Sequence, residues 1–274
     1  MAANLQGLPG HVHVAPTLHD LHDELAGVMM GIAMRAVVDR GVFHVALSGG
    51  STPEPFYVNL VVDPRFRAIP WQQTHVWIVD ERRVDEDDPR SNFRMIKQSL
   101  IDHLPMRRRQ IHPMPVLLED PASAYEAELR TVFFPGDPVP PIHALYDRLP
   151  RMDFVLLGMG DDAHTASLFP NSEAINERER WIAVNQGPNV TPPARVTMTY
   201  PLINAARQIA VLVTGAKKHA TLKRISQVVS LRGADPQMMP VTGVSPMDGA
   251  LAWYLDAAAA GELDEPGIEL ASPG

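Results

Sequence analysis

Residues 158–170 read G-M-G-D-D-A-H-T-A-S-L-F-P and directly follow the apolar run F-V-L-L at 154–157. A histidine, two aspartates and a glycine-rich turn thus stand at the carboxyl end of a buried strand, where open α/β sheets hold their ligands. His164 is the one side chain there whose proton affinity suits general-base work near neutral pH, and Asp162 is placed to orient its ring. One histidine with one acid is not a triad. Ser167 lacks the glycine pattern of a nucleophile elbow and is expected to be structural or helix-terminal. Asp161, Asp162 and His164 are also ligand-type side chains. No zincin spacing accompanies them, so no metal or cofactor is expected. The plainer alternative is a satisfied structural histidine in a Gly-Asp turn.

Four other clusters carry chemistry. Ser48, Gly49, Gly50, Ser51 and Thr52 lie between a strand and a helix, where glycines admit a close ligand and amides and hydroxyls face an anion. They match neither the P-loop nor the dinucleotide fingerprint, and an ordinary tight turn would look the same. Asp80-Glu81-Arg82-Arg83 ends a second strand: an arginine there can bind phosphate or offset charge on an oxygen, and a carboxylate can orient it or a sugar hydroxyl. A solvated charged loop is its bland counterpart. Ser91 just downstream reads as a helix cap beside Asn92. Lys217-Lys218 follow Gly215 at the end of a third strand, so one ammonium can reach back over the strand ends, although a pair of solvated helix lysines fits as well. Arg195, ahead of the apolar segment 196–200, is a further candidate cation, with an edge-strand charge as its alternative.

Positioning these residues requires a regular scaffold. Apolar residues recur with helical period through 17–40, ahead of Gly41 as a carboxyl-terminal cap. Strands are expected at 42–47, 75–79, 154–157 and 208–213, with helices at 53–60, 91–100 and about 217–229. Alternating strands and helices predict a single α/β domain with a largely parallel, doubly wound sheet flanked by helices. Residues 134–150, with five prolines, read as a surface excursion, and 262–274 as a loose tail. His11, His13, His19 and His22 are expected on exposed surface.

Composition narrows the partners. The formal charge is -8, so the average surface repels nucleic acid and anionic membrane, and an anionic ligand must be caught locally. The absence of cysteine excludes disulfides, thiolate catalysis and cysteine-ligated metal. Residues 1–10 have neither the basic start nor the apolar stretch of a signal peptide, and no run approaches the ~20 apolar residues of a membrane span. A soluble, cytoplasmic protein is expected, with its oligomeric state left open.

Taken in chain order, S-G-G-S-T-P at 48–53, D-E-R at 80–82 with S-N at 91–92, G-M-G-x-D-x-H-x-A-S-L-F-P at 158–170, R-V-T-M-T at 195–199, P-L-I-N at 201–204, G-x-x-K at 215–218 and G-A-L-A-W at 249–253 resemble the 6-phosphogluconolactonase family. The larger group includes glucosamine-6-phosphate deaminases. The resemblance implies a Rossmann-like sheet and hydrolysis of 6-phospho-D-glucono-1,5-lactone, the second step of the pentose phosphate pathway. It implies that the 48–52 turn and Lys218 hold the substrate phosphate with help from Arg195, that His164 takes a proton from water, and that Arg82 places substrate or balances negative charge. Asp80 matches the deaminases' proton-abstracting aspartate and would here orient hydroxyls or Arg82. Two departures stand out. Ala163 replaces the family's usual glycine, and if that glycine serves a positive-φ turn, alanine costs roughly 1 kcal/mol there. The 134–150 stretch also looks longer than the family norm. A deaminase needs a glutamate five residues after the motif histidine, where this chain has Phe169. A deaminase and a non-catalytic sugar-phosphate binder remain the alternatives to a lactonase.

Overall fold

Seven parallel strands form the centre of the molecule in the computed structural model, which describes residues 5–136 and 149–262. In chain order the strands are β1 (His11–Ala15), β2 (Phe43–Leu47), β3 (Thr74–Ile78), β4 (Asp80–Arg82), β5 (Ile111–His112), β6 (Phe154–Leu157), β7 (Ile182–Gln186), β8 (Ala194–Met198), β9 (Gln208–Val213) and β10 (Ala250–Asp256). The helices are α1 (Leu18–Arg40), α2 (Glu54–Val62), α3 (Asn92–Ser99), α4 (Pro121–Phe133), α5 (Tyr200–Asn204), α6 (His219–Arg232) and α7 (Ala257–Ala260). The large sheet has the order β1-β10-β9-β6-β2-β3-β5, and β4-β8-β7 make a small antiparallel sheet. The expected α/β class and parallel sheet are therefore present. Most of the 134–150 stretch and nearly all of 262–274 lie outside the described residues.

The strands are continuous apolar runs because helices cover both faces. All five residues of β2 and all four of β6 are buried. Connections from β2 run through β3 to β5 on one side, and those from β6 run through β9 to β10 on the other. β2 and β6 are adjacent, with Val45 opposite Phe154 and Leu47 opposite Leu156. Divergence of the connections opens a crevice beyond their carboxyl ends, the usual ligand position in such sheets.

Local sequence sets the element ends. Thr17 caps α1 by accepting from the Asp20 amide at 3.1 Å, and Gly41 ends it at φ 77°. The last expected helix starts at His219 rather than near Lys217, because residues Ala216–Lys218 form a 3-10 turn first. Among the strands without a sequence expectation, β1 and β10 pair with each other at one side of the sheet. Their burial corrects part of the histidine assignment. His22 is buried against Phe56, one position from Leu21 on the inward stripe of α1, and His13 is half-buried, stacked on Tyr254 at 4.9 Å. His11 and His19 are exposed as expected. Among the described residues, no helix is long and apolar enough to cross a membrane.

A second histidine group sits near the amino ends of β2 and β3, away from the crevice. Trp77 Nε1 donates to His44 Nδ1 at 3.2 Å, His75 Nδ1 meets His112 Nε2 at 2.9 Å, and His112 Nδ1 meets Glu128 Oε1 at 2.6 Å. Burial, then the charges of His75, His112 and Arg40, push His44 down to about 3. Burial, with His112 and Arg109, pushes His75 down to about 4. Both start from an ordinary 6.5, so below that pH the unfolded chain takes up protons that the folded chain refuses. Stability contributed by the neutral rings is complete above 6.5 and is lost as pH falls toward about 4 for His75 and about 3 for His44. Urea midpoints should therefore drop through that range, and His75→Gln should flatten the dependence; a midpoint independent of pH there would refute the linkage.

Candidate active site

The crevice at the β2–β6 junction encloses about 450 Å³ and brings together most of the residues singled out from sequence. Ser48, Gly49, Gly50, Ser51 and Thr52 leave β2 along one wall. Tyr57 Oη donates to the Ser48 carbonyl at 2.6 Å and fixes the start of the turn. Among the described residues, no hydrogen bond uses the amides of Gly49, Gly50, Ser51 or Thr52, and the buried Ser48 Oγ has no partner. A buried hydroxyl without a partner costs free energy unless a ligand satisfies it. A Cβ on Gly49 would lie 1.9 Å from Asn92 Oδ1, so only glycine lets the turn pack against α3. Asn92 Oδ1 is also buried without a partner, while its Nδ2 donates to the Asp80 carbonyl at 2.7 Å.

His164 enters from the β6 side. Its Nδ1 lies 2.5 Å from Asp162 Oδ1, which also accepts the His164 amide at 3.1 Å. A carboxylate at Nδ1 selects the tautomer with the proton there and leaves the lone pair on Nε2. Burial raises the Asp162 carboxyl, but the hydrogen bond and charge of His164 more than offset this, and the net shift is downward. The loop is built tightly around this pair. A Cβ on Gly160 would fall 2.1 Å from His164 Nδ1, and Ala163 adopts φ 66° with no exposed surface. The positive-φ requirement inferred for position 163 is therefore real, and alanine meets it under strain. Val241 N donates to the Ala163 carbonyl at 2.9 Å and helps hold that backbone. Phe169 packs on the His164 ring at 4.9 Å, placing an apolar group beside the imidazole.

The third wall is the small sheet. The Asp80-Glu81-Arg82 segment is a separate strand, β4, rather than the tail of β3, and it pairs with β8 so that Arg82 lies opposite Arg195. Arg195 is buried on the central strand of this sheet, which corrects the edge-strand alternative: β7 and β4 cover both its sides. Burial, then the Arg82 charge, pushes the Arg195 guanidinium below its ordinary value. Arg82 donates to the Arg90 carbonyl and Arg195 to those of Pro192 and Ala194, and among the described residues neither forms a salt bridge. Two adjacent guanidiniums without a carboxylate partner make a strong local attraction for an anion.

Asp80 is buried in this wall, where its Oδ2 accepts from Ser167 Oγ at 2.5 Å. Ser167 lies in an irregular loop and no helix begins or ends there, so its expected helix-terminal alternative does not hold. This pair joins positions 87 residues apart and has no local sequence signal. Val190 and Thr191 also line the crevice without having been singled out, marked only by the prolines that follow them. Lys218 is not among the lining residues. Its ammonium is tied to Asp161 Oδ1 at 2.5 Å, on the same loop as His164.

Residues 16–253 match the family model described as glucosamine-6-phosphate isomerases/6-phosphogluconolactonase. The 6-phosphogluconolactonase of Nostoc sp. is 40% identical over 233 residues, covering 83% of this chain and 88% of the relative. The human GDH/6PGL endoplasmic bifunctional protein is 39% identical over 237 residues; the match takes in 86% of this chain but spans only 28% of that protein's length. The solved 6-phosphogluconolactonase from Trypanosoma cruzi superposes with a TM-score of 0.74 at 26% identity, covering 93% of this chain and 97% of the other.

The strain at Ala163 has a direct test in denaturant unfolding. Ala163→Gly should change stability by less than about 0.5 kcal/mol, since relief of strain offsets the added freedom of the unfolded chain. Ala163→Val should cost about 2 kcal/mol or more, because a β-branched side chain fits neither the left-handed backbone nor the full burial. A tolerated valine would contradict the backbone assignment.

Proposed function

This chain belongs to the glucosamine-6-phosphate isomerase/6-phosphogluconolactonase family, and we propose that its crevice hydrolyses 6-phospho-D-glucono-1,5-lactone with His164 as general base. The observation that carries the proposal is His164, held by Asp162 and set in one pocket with the unpartnered Ser48 hydroxyl and two arginines that form no salt bridge among the described residues. His164 Nε2 takes a proton from water as the water oxygen bonds to the lactone carbonyl carbon. Asp162 holds the ring and stabilises the imidazolium that forms. Arg82 offsets the negative charge on the carbonyl oxygen. When the intermediate collapses, the ring carbon–oxygen bond breaks and the departing oxygen takes the proton back from His164, which leaves 6-phosphogluconate and restores the base.

Substrate is held at both ends. Ser48 Oγ, the free amides of the 49–52 turn and Arg195 bind the phosphate, and Lys218 joins them by exchanging Asp161 for the substrate. Asp80, steadied by Ser167, accepts sugar hydroxyls alongside Asn92. A deaminase requires an acid where Phe169 stands, and a buried phenyl ring carries no proton. The cysteine-free chain suits the reducing cytoplasm, where we place this step of the pentose phosphate pathway.

Purified protein should accelerate hydrolysis of freshly generated phosphogluconolactone over the spontaneous rate. His164→Ala should lower kcat by about 100-fold or more with little change in KM. Turnover at the spontaneous rate in the wild type would favour a non-catalytic binder, and ammonia release from glucosamine 6-phosphate a deaminase. Lys218→Ala and Arg195→Ala should instead raise KM for the phosphorylated lactone and erase its preference over gluconolactone. A preference that survives both substitutions removes these cations from phosphate recognition.

A further inference from the structure

Glu81 has an environment that no step above uses. Only 3% of it is exposed, and its carboxylate accepts four hydrogen bonds. Oε1 takes the amides of Arg82 at 2.7 Å and Asn92 at 2.8 Å, and Oε2 takes the Phe93 amide at 2.7 Å and Ser91 Oγ at 3.0 Å. Burial pushes the carboxyl above its ordinary value, against these bonds, which favour the ionised form. A buried carboxylate kept at such cost calls for a role that an apolar side chain cannot fill.

Capping α3 is not sufficient as that role. Ser91 already caps the helix by accepting the Arg94 amide at 3.1 Å. What Glu81 adds is a bridge between the two elements that form adjacent walls of the crevice. On one side it fixes the backbone of Arg82 in β4, and on the other the first turn of α3, from which Asn92 projects against Gly49. Further bonds tie the same two elements together: the Arg82 guanidinium donates to the Arg90 carbonyl just ahead of α3, and Asn92 Nδ2 donates to the Asp80 carbonyl. The spacing between the arginine pair and the anion-binding turn therefore passes through the Glu81 carboxylate.

From this geometry we infer that Glu81 is a positioning residue, setting the distance between the Arg82 wall and the Asn92–Gly49 wall of the substrate pocket. The inference rests on the lactonase function proposed above. Both carboxylate oxygens are needed, because each accepts two donors. A glutamine keeps the shape, but its NH2 either opposes the Arg82 and Asn92 amides, which breaks the link between the walls, or opposes the Phe93 amide, which displaces the first turn of α3. Small displacements of substrate-holding groups are costly in rate even when no reacting atom is touched.

The test compares Glu81→Gln, Glu81→Asp and Ser91→Ala by thermal melting and by kcat and KM for the phosphorylated lactone. Ser91→Ala weakens the α3 cap but leaves the amides of Arg82 and Asn92 on Glu81, so it should lower Tm while KM and kcat stay within about 2-fold. Glu81→Gln should raise KM about 10-fold and lower kcat/KM about 10- to 100-fold. Glu81→Asp, with the charge retained, should recover part of that loss. Should the glutamine variant melt below the assay temperature, Glu81→Asp set against Ser91→Ala gives the same comparison. An active wild type whose Glu81 variants lose only stability, with kinetics matching Ser91→Ala, overturns the positioning role alone. A wild type without lactonase activity overturns the proposed function itself.

Discussion

The pairing of β2 with β6 is the constraint on which the rest of the site depends. Leu47 lies opposite Leu156, so Ser48 leaves the sheet at the level of Leu157 and Gly158 follows one residue beyond. The turn with the free amides and the loop carrying His164 therefore emerge side by side. A two-residue slip would preserve the buried faces but move one loop by about 7 Å along the strand, beyond the reach of a shared small ligand. Full burial of both strands in a packed core resists such a slip.

Electrostatics divides the surface from the site. A chain with formal charge -8 does not draw an anion by its overall field, so the attraction must be concentrated in the crevice. Arg82 and Arg195 supply it by standing opposite each other in the small sheet, an arrangement that destabilises the unliganded protein through like-charge repulsion and burial. Asp80 and Glu81 temper that repulsion from the same strand. His164, the proposed general base, is treated the opposite way: a loop with glycine at 160 and alanine at positive φ at 163 packs closely around the ring and its one carboxylate partner.

Local signals were legible in the sequence where they reflect local physics. The long helix 17–40, the runs 154–157 and 208–213, the turn after β2 and the Asp-x-His pair all carry patterns within a few residues, and the structure contains the helix, the strands and the His164–Asp162 contact. The strained position 163 was likewise readable from a single missing glycine. Pairings between distant segments were not. Nothing local to H-V-H-V-A at 11–15 announces a strand, because its partner lies at 252–256, and the Asp80–Ser167 bond depends on two sheets meeting. The edge-strand alternative for Arg195 stayed open because strand order cannot be read from a segment in isolation, and Lys218 was assigned by motif without sight of Asp161. The catalytic roles proposed for these side chains rest on their chemistry and the family, not on spacing alone.

The position of β1 bears on how the chain is made. β1 is held on the sheet by β10, and the segment before it is anchored late in the sequence as well: Gly7 N donates to Ser226 Oγ, and Trp253 Nε1 to the Pro9 carbonyl. During synthesis β1 therefore finds its neighbour only after more than two hundred further residues have been made. Until β10 is made, β1 has no strand neighbour and the sheet edge at β9 is open, a template for pairing with another chain. Closure of the large sheet at β1 thus depends on a pairing across more than two hundred residues, made only after the loops following β2 and β6 have been synthesised.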